Sequence, residues 1–292
     1  MRTGANPPKG NSDMSAPPRT RPVIAHLVHP VAVPPESDLR EAQPITFETM
    51  RRAQQFAQGV ADVRLLAIQY ADEPRIPLPD AFVRLPDLTR SVADVAAFRE
   101  RRRLALIRDL LDALHAAGHA DFLVYTNVDI ALQPPFYAAL DALIARGRRA
   151  FVINRRTIPK RGARIEDIPR MCAEIGDKHP GWDCFVFPRE SYPSFLLGDA
   201  CIGTDWIGRI LVSNLACFVP DFAVFGDLHL TFHLGDDRPW TSDRFADYAD
   251  HNRRECERIL GDLARRFGPF DPKGFPGRFF RHLENTRPEG AR

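Results

Sequence analysis

Apolar side chains along this chain gather in short runs separated by longer stretches with helical spacing, which predicts an α/β protein whose mostly parallel sheet is flanked by helices. Val23 to Val33 reads as the first strand, residues 63–70 as the second, 81–85 as a short third, and 150–154, 184–188 and 217–226 as later strand-like pieces. Helices are predicted over Thr46 to Gln58, Val95 to Ala117, Phe136 to Ala145, Trp206 to Asn214 and Thr241 to Phe267. In the second of these, Leu104, Ile107, Leu111 and Leu114 recur at helical spacing, and Gly118 marks the stop. Residues 1–22 carry almost no large apolar side chain and cannot offset the entropy of ordering, so they predict a disordered tail. One domain is expected over 23–267, with a ligand-binding half to about 155, and 268–292 form a Pro- and Gly-rich C-terminal tail.

The run Asp121 to Ile130 departs from a plain core strand. Alternation places Leu123, Tyr125, Asn127 and Asp129 on one side, so an apolar strand closes on an amide and a carboxylate. Polar groups ending a buried strand cost free energy unless something binds them, and open α/β sheets hold ligands beyond the carboxyl ends of their strands. The same residues also fit an Asx-type turn.

Composition narrows the choice of partner. The 292 residues carry a formal net charge of only +2, with acids interspersed among the arginines, so no polyanion-binding surface stands out and nucleic acid is not expected. Five cysteines without a Cys-x-x-Cys pair argue against a zinc knuckle or a complete disulfide framework and fit a reducing compartment. No apolar segment approaches the roughly 20 residues that span a bilayer, so a cytoplasmic protein without a transmembrane segment is expected. The Gly-x-Gly-x-x-Gly, Walker and Gly-x-Ser-x-Gly signatures are absent.

Asn127-Val128-Asp129 at a strand end, followed by the turn at Pro134-Pro135, resembles the Asp-x-Asp-type motif of the GT-A class of glycosyltransferases, with an amide in place of the first acid. The resemblance implies a Rossmann-type sheet and an enzyme that moves a sugar from a nucleotide-sugar donor to a saccharide, lipid-linked or protein acceptor. It implies a divalent cofactor, Mn²⁺ or Mg²⁺, held by Asp129 and by a late histidine, His229 or His233, with Asn127 beside the diphosphate. Arg103, Arg155 and Arg156 are its expected nucleotide and phosphate contacts. The loop His179-Pro180-Gly181-Trp182-Asp183 offers an indole to stack on a sugar and a carboxylate to take the acceptor proton. Asp205 and Trp206, at a predicted helix start, are a second acid and aromatic pair for the same two roles, or simply a cap. Alternation across Leu228 to Leu234 places His229, Thr231 and His233 on one face, and Asp236, Asp237 and Arg238 follow. Two other activities fit these residues: a sugar-nucleotide-binding protein without catalysis, and a metal-dependent phosphoesterase built on the late histidines and acids.

Overall fold

Strand β1 (Val23–Val28) is buried on both faces and forms the centre of the molecule. In the computed structural model, which describes residues 20–236 and 241–285, it pairs in parallel with β2 (Asp62–Ala67) on one side and β4 (Phe122–Thr126) on the other. The main sheet extends through β3 (Phe82–Arg84) at one edge and through β9 (Cys184–Pro188), β6 (Phe151–Ile153) and β10 (Ala223–Phe225) at the other, in the order β10-β6-β9-β4-β1-β2-β3. Only β9 runs antiparallel to its neighbours. The expected mixed, mostly parallel α/β sheet is therefore present.

Helices cover both faces, as strands apolar on both sides require. Ile24, Val28, Val124, Phe151 and Val186 pack under α1 (Leu39–Phe56) and α3 (Phe136–Ala145). Ala25, Leu27, Leu123, Tyr125, Val152 and Phe187 pack under α2 (Ile107–Ala116), α5 (Ile207–Phe218), α6 (Ala246–Phe267) and α7 (Gly277–Asn285). His26, inside the central strand, is fully buried and satisfied by the Tyr137 hydroxyl at 2.8 Å and Thr126 Oγ1 at 2.9 Å. Burial without a charge partner pushes its pKa down to about 3, so the ring is neutral.

A second, smaller sheet stands beyond the end of β4. It joins β5 (Ala131–Leu132), β11 (Thr231–Leu234), β7 (Arg156–Ile158) and β8 (Asp177–Lys178) in the order β5-β11-β7-β8, with α4 (Ile168–Ala173) beside it. This sheet brings the late residues of the chain back to the motif at Asn127.

Three expectations are corrected. The helix expected from Val95 begins only at Ile107, because Ala105 and Leu106 are held by another segment: the extended Leu106 bridges Cys201, and Ile202 donates to the Ala105 carbonyl at 2.9 Å. The arginine-rich segment before it has no apolar face to bury and is held instead by ion pairs to Asp94, Glu100, Asp72 and Asp247. Cys217 and Phe218 end α5 and do not open a strand. The C-terminal segment is not a tail throughout, because Phe279 and Leu283, four apart on α7, are buried in the main core. Phe275 and Phe279 meet the Trp182 ring at 5.9 and 5.3 Å. Phe279→Leu is accordingly expected to lower stability by about 1–2 kcal/mol, read as a reduced urea midpoint at unchanged slope. An unchanged midpoint would mean that α7 does not contribute to the core. Of the expected N-terminal tail, residues 1–19 lie outside the described residues.

Candidate active site at the mouth of the main sheet

The motif strand ends at Thr126, one step before the residues that alternation had continued through. Tyr125 still shares a side with Asn127, to whose Oδ1 its hydroxyl donates at 3.3 Å. Asp129 is placed differently, by a turn in which Ile130 donates to the Asn127 carbonyl at 3.2 Å before the chain enters β5 in the second sheet. There Ala131 is in register with Phe232, which puts the next residue of β11, His233, beside Asp129. The result is a contact of 3.2 Å between His233 Nε2 and Asp129 Oδ2.

The other nitrogen of that ring decides what the contact means. His233 Nδ1 lies 2.7 Å from the Gly235 carbonyl, which can only accept, so Nδ1 carries the proton. In the neutral ring Nε2 then presents a lone pair to a carboxylate oxygen. Two acceptors at 3.2 Å need a proton or a cation between them. Burial lowers the His233 pKa, but the hydrogen bond and charge of Asp129 outweigh it and the net direction is upward. For Asp129 burial acts upward, while His233 and then Arg155 prevail and hold the acid below its ordinary range. The second oxygen, Asp129 Oδ1, is buried without a hydrogen-bond partner, although the side chain as a whole keeps 21% of its exposure.

Antiparallel β9 completes the mouth. Its first residue, Cys184, is in register with Thr126 of β4 and Ile153 of β6, so Asp183 stands beside the ends of both strands. Asn154 and Arg155 leave β6 at the same level. Arg155 donates from Nη1 to Asp183 Oδ1 at 2.9 Å, with both side chains less than a tenth exposed, and its Nη2 stands 4.0 Å from Asp236. Burial raises the Asp183 pKa and the nearby charge of Asp129 adds to that, while Arg155 opposes it without cancelling it. Arg155 Nε and Nη2, Asp183 Oδ2, Asn154 Oδ1 and Asp129 Oδ1 are all buried without a hydrogen-bond partner. Such a concentration of unsatisfied donors and acceptors at one sheet end is costly in a structural core and is what a polar ligand would relieve.

The remaining candidates divide. Arg103 is exposed on the same mouth, its guanidinium 4.0 Å above the Tyr70 ring and paired with Asp72, two residues beyond β2 that were not singled out from the sequence. Asn127 is exposed next to Asp129. Trp182 is half-buried between Gly208 of α5 and the rings of Phe275, just before α7, and Phe279 on α7; a Cβ at Gly208 would lie 3.2 Å from the indole. Trp206 is mostly buried at the start of α5 and Asp205 is exposed beside it. Two residues are not brought in. Arg156 points to the outer side of the second sheet, to Gly176 and Asp227. His229 precedes β11 with φ of 51°, which breaks the alternation that would have faced it with His233, and it contacts Gln133 Nε2 at 3.2 Å. Asn154 closes the apolar run 150–154, and its signal in the sequence is the same as that of Asn127, an amide ending a buried strand. Asp237 and Arg238 lie outside the described residues.

Among the described residues no three His, Cys, Asp or Glu side chains converge as a complete metal cage. Asp129 and His233 nevertheless fit a divalent cation bound together with a ligand. Their 3.2 Å separation is close to the roughly 3 Å between neighbouring donors of an octahedral ion bonded at about 2.1 Å. The carboxylate, with water and phosphate oxygens, suits Mn²⁺ or Mg²⁺, and the imidazole beside it favours Mn²⁺, because Mg²⁺ takes oxygen ligands.

No protein-family model and no curated protein sequence matches the chain. Among solved structures it is similar to glucosyl-3-phosphoglycerate synthase from Mycobacterium tuberculosis in complex with Mn²⁺, uridine-diphosphate-glucose and phosphoglyceric acid. That match has 15% identity, covers 88% of this chain and 87% of the other, and has a TM-score of 0.43. It is also similar to residues 1–349 of S. aureus TarS in complex with UDP-GlcNAc, at 7% identity, 84% and 73% coverage and a TM-score of 0.46.

Proposed function

We propose that this protein is a metal-dependent glycosyltransferase of GT-A type that moves a sugar from a nucleoside-diphosphate sugar to a hydroxyl acceptor. The observation that carries this reading is the pair Asp129 and His233, whose facing atoms take a proton or a cation between them, set beside a buried Arg155 whose Nε and Nη2 make no hydrogen bond. Asp129 and His233 would hold Mn²⁺ or Mg²⁺, and the metal, when bound, supplies positive charge to a diphosphate leaving group.

The chain's own residues do the rest. Arg155 offers Nε and Nη2 to phosphate oxygens while its Nη1 stays fixed on Asp183, so the donor meets a guanidinium already oriented. Asp183 keeps Oδ2 available to a hydroxyl and, with its raised pKa, is suited to receive the acceptor proton. Exposed Asn127 and the Arg103 and Tyr70 stack flank the donor side; Trp182, Asp205 and Trp206 belong to the acceptor side. The phosphoesterase arrangement is disfavoured, because His229 is turned away to Gln133.

Thermal unfolding with nucleoside diphosphates and their sugars, with and without Mn²⁺, tests the proposal. Stabilisation that requires both metal and nucleotide and rises with ligand concentration is expected, followed by slow hydrolysis of one donor. Metal-dependent binding with no turnover of any donor-acceptor pair would leave a binding protein in place of a transferase. Absence of metal-dependent binding would refute the site.

A further inference from the structure

The formal charge of +2 over the whole chain conceals a local excess near its C-terminal end. Between Arg265 and Leu283 five cations, Arg265, Arg266, Lys273, Arg278 and Arg281, stand against one acid, Asp271, and all five are exposed. Arg265 is paired with Asp262, but among the described residues Arg266, Lys273, Arg278 and Arg281 form no ion pair with a carboxylate. Arginines elsewhere are neutralised locally, as Arg253 is by Asp250 and Arg90 by Asp109. The same stretch holds five phenylalanines. Phe279 is buried in the core, whereas Phe267 at the end of α6 is 41% exposed and Phe270 and Phe280 are partly exposed.

Cations and rings are interleaved on this surface. The loop between α6 and α7 folds back onto α7: the Phe270 and Phe280 rings lie 6.1 Å apart, Arg281 donates to the Pro272 carbonyl, and the Arg278 backbone donates to Gly274 at 2.9 Å. The Arg278 guanidinium stands 5.0 Å over the Phe275 ring, and that of Arg266 4.9 Å over Phe218 and 5.3 Å over Phe267. On α7 Arg278 and Arg281 are about one turn apart, on the side away from the buried Phe279 and Leu283. A single-stranded nucleic acid stacks its bases on free aromatic faces, and here guanidiniums lie over the rings of Phe267 and Phe275. A bilayer surface makes no such demand. It takes partly exposed rings into the boundary between headgroups and acyl chains, while arginine and lysine stems lie along apolar surface and carry their charges to the lipid phosphates.

We propose that this C-terminal surface docks the protein on an anionic bilayer, with Arg266, Lys273, Arg278 and Arg281 meeting lipid phosphates and Phe267, Phe270 and Phe280 entering the headgroup region. Attachment is peripheral and reversible, because no helix among the described residues is long and apolar enough to cross a membrane. Docking requires neither metal nor nucleotide and so stands apart from the transferase reading.

The test is co-sedimentation of the full chain with vesicles of phosphatidylcholine alone and of phosphatidylcholine doped with phosphatidylglycerol. Binding to the doped vesicles only, falling as salt is raised, is expected. The double variant Arg278→Gln with Arg281→Gln should weaken it about tenfold or more, and Arg278→Lys with Arg281→Lys should retain it, since each basic residue near an anionic surface contributes severalfold in affinity. Phe267→Ser should weaken binding further than charge alone explains, with a melting curve showing that the variant is folded. Arg161→Gln with Arg164→Gln removes the same charge from exposed positions beside the second sheet and should leave binding unchanged. No binding to the doped vesicles overturns the proposal, as does equal binding to both kinds of vesicle or an equal loss in the two glutamine variants. A single-stranded RNA oligonucleotide that displaces the protein from doped vesicles through Arg278 and Arg281 would assign the surface to nucleic acid and overturn it as well.

Discussion

Asp129→Ala will eliminate metal-dependent binding of nucleoside diphosphates, weakening it by at least about 100-fold, while leaving the protein folded. The magnitude follows from removing one of two protein ligands, since loss of even an outer partner of a metal ligand costs about 10–100-fold. The fold should survive because burial already disfavours this carboxylate, and its Oδ1 forms no hydrogen bond that the core would lose. His233 stays anchored through Nδ1 to Gly235 and simply loses the group that raised its pKa. Calorimetric titration of Mn²⁺ and nucleotide, together with a melting curve, reads both effects. Undiminished binding in the variant would remove Asp129 from the site, and with it the basis of the proposed function.

Arg155→Met acts on stability as well as on function. Its side chain and that of Asp183 are 5% and 9% exposed, so the single change leaves a buried carboxylate facing Asp129 without its cation. Breaking one side of such a pair costs about 3–5 kcal/mol, whereas replacing both sides is close to neutral. The double variant Arg155→Met with Asp183→Leu is therefore expected to regain most of the lost stability and none of the donor binding or turnover. A denaturation double-mutant cycle measures the coupling. A cost below about 1 kcal/mol for the single change would show that the pair is solvated and that its apparent burial carries no functional weight.

Much of this arrangement was legible along the chain, and the parts that were not share a cause. Strands β1, β4 and β9 stand out because central strands are apolar on both faces, and α3 because its boundaries coincide with its apolar run. Helical spacing overextends α2, since spacing alone cannot show that Ala105 and Leu106 pair with Ile202 and Cys201, residues remote in sequence. Pro and Gly in its first part give the C-terminal segment the composition of a tail, while the two residues that bury α7, Phe279 and Leu283, have their partners elsewhere in the fold. His229 and His233 were equivalent by alternation; a positive φ at His229 separated them.

By itself the sequence determined the α/β class, the central strand that leads into Asn127 and Asp129, and the pool of residues from which a site is drawn, because local periodicity and polarity encode burial. Tertiary structure alone decided which of those residues meet. A turn after Thr126 hands the chain to a second sheet, β11 returns beside it from the far end of the chain, and antiparallel β9 sets Asp183 against Arg155. Those contacts span separations over which no local pattern carries information, so only the closing of the two sheets could choose His233 over His229 and Arg155 over Arg156.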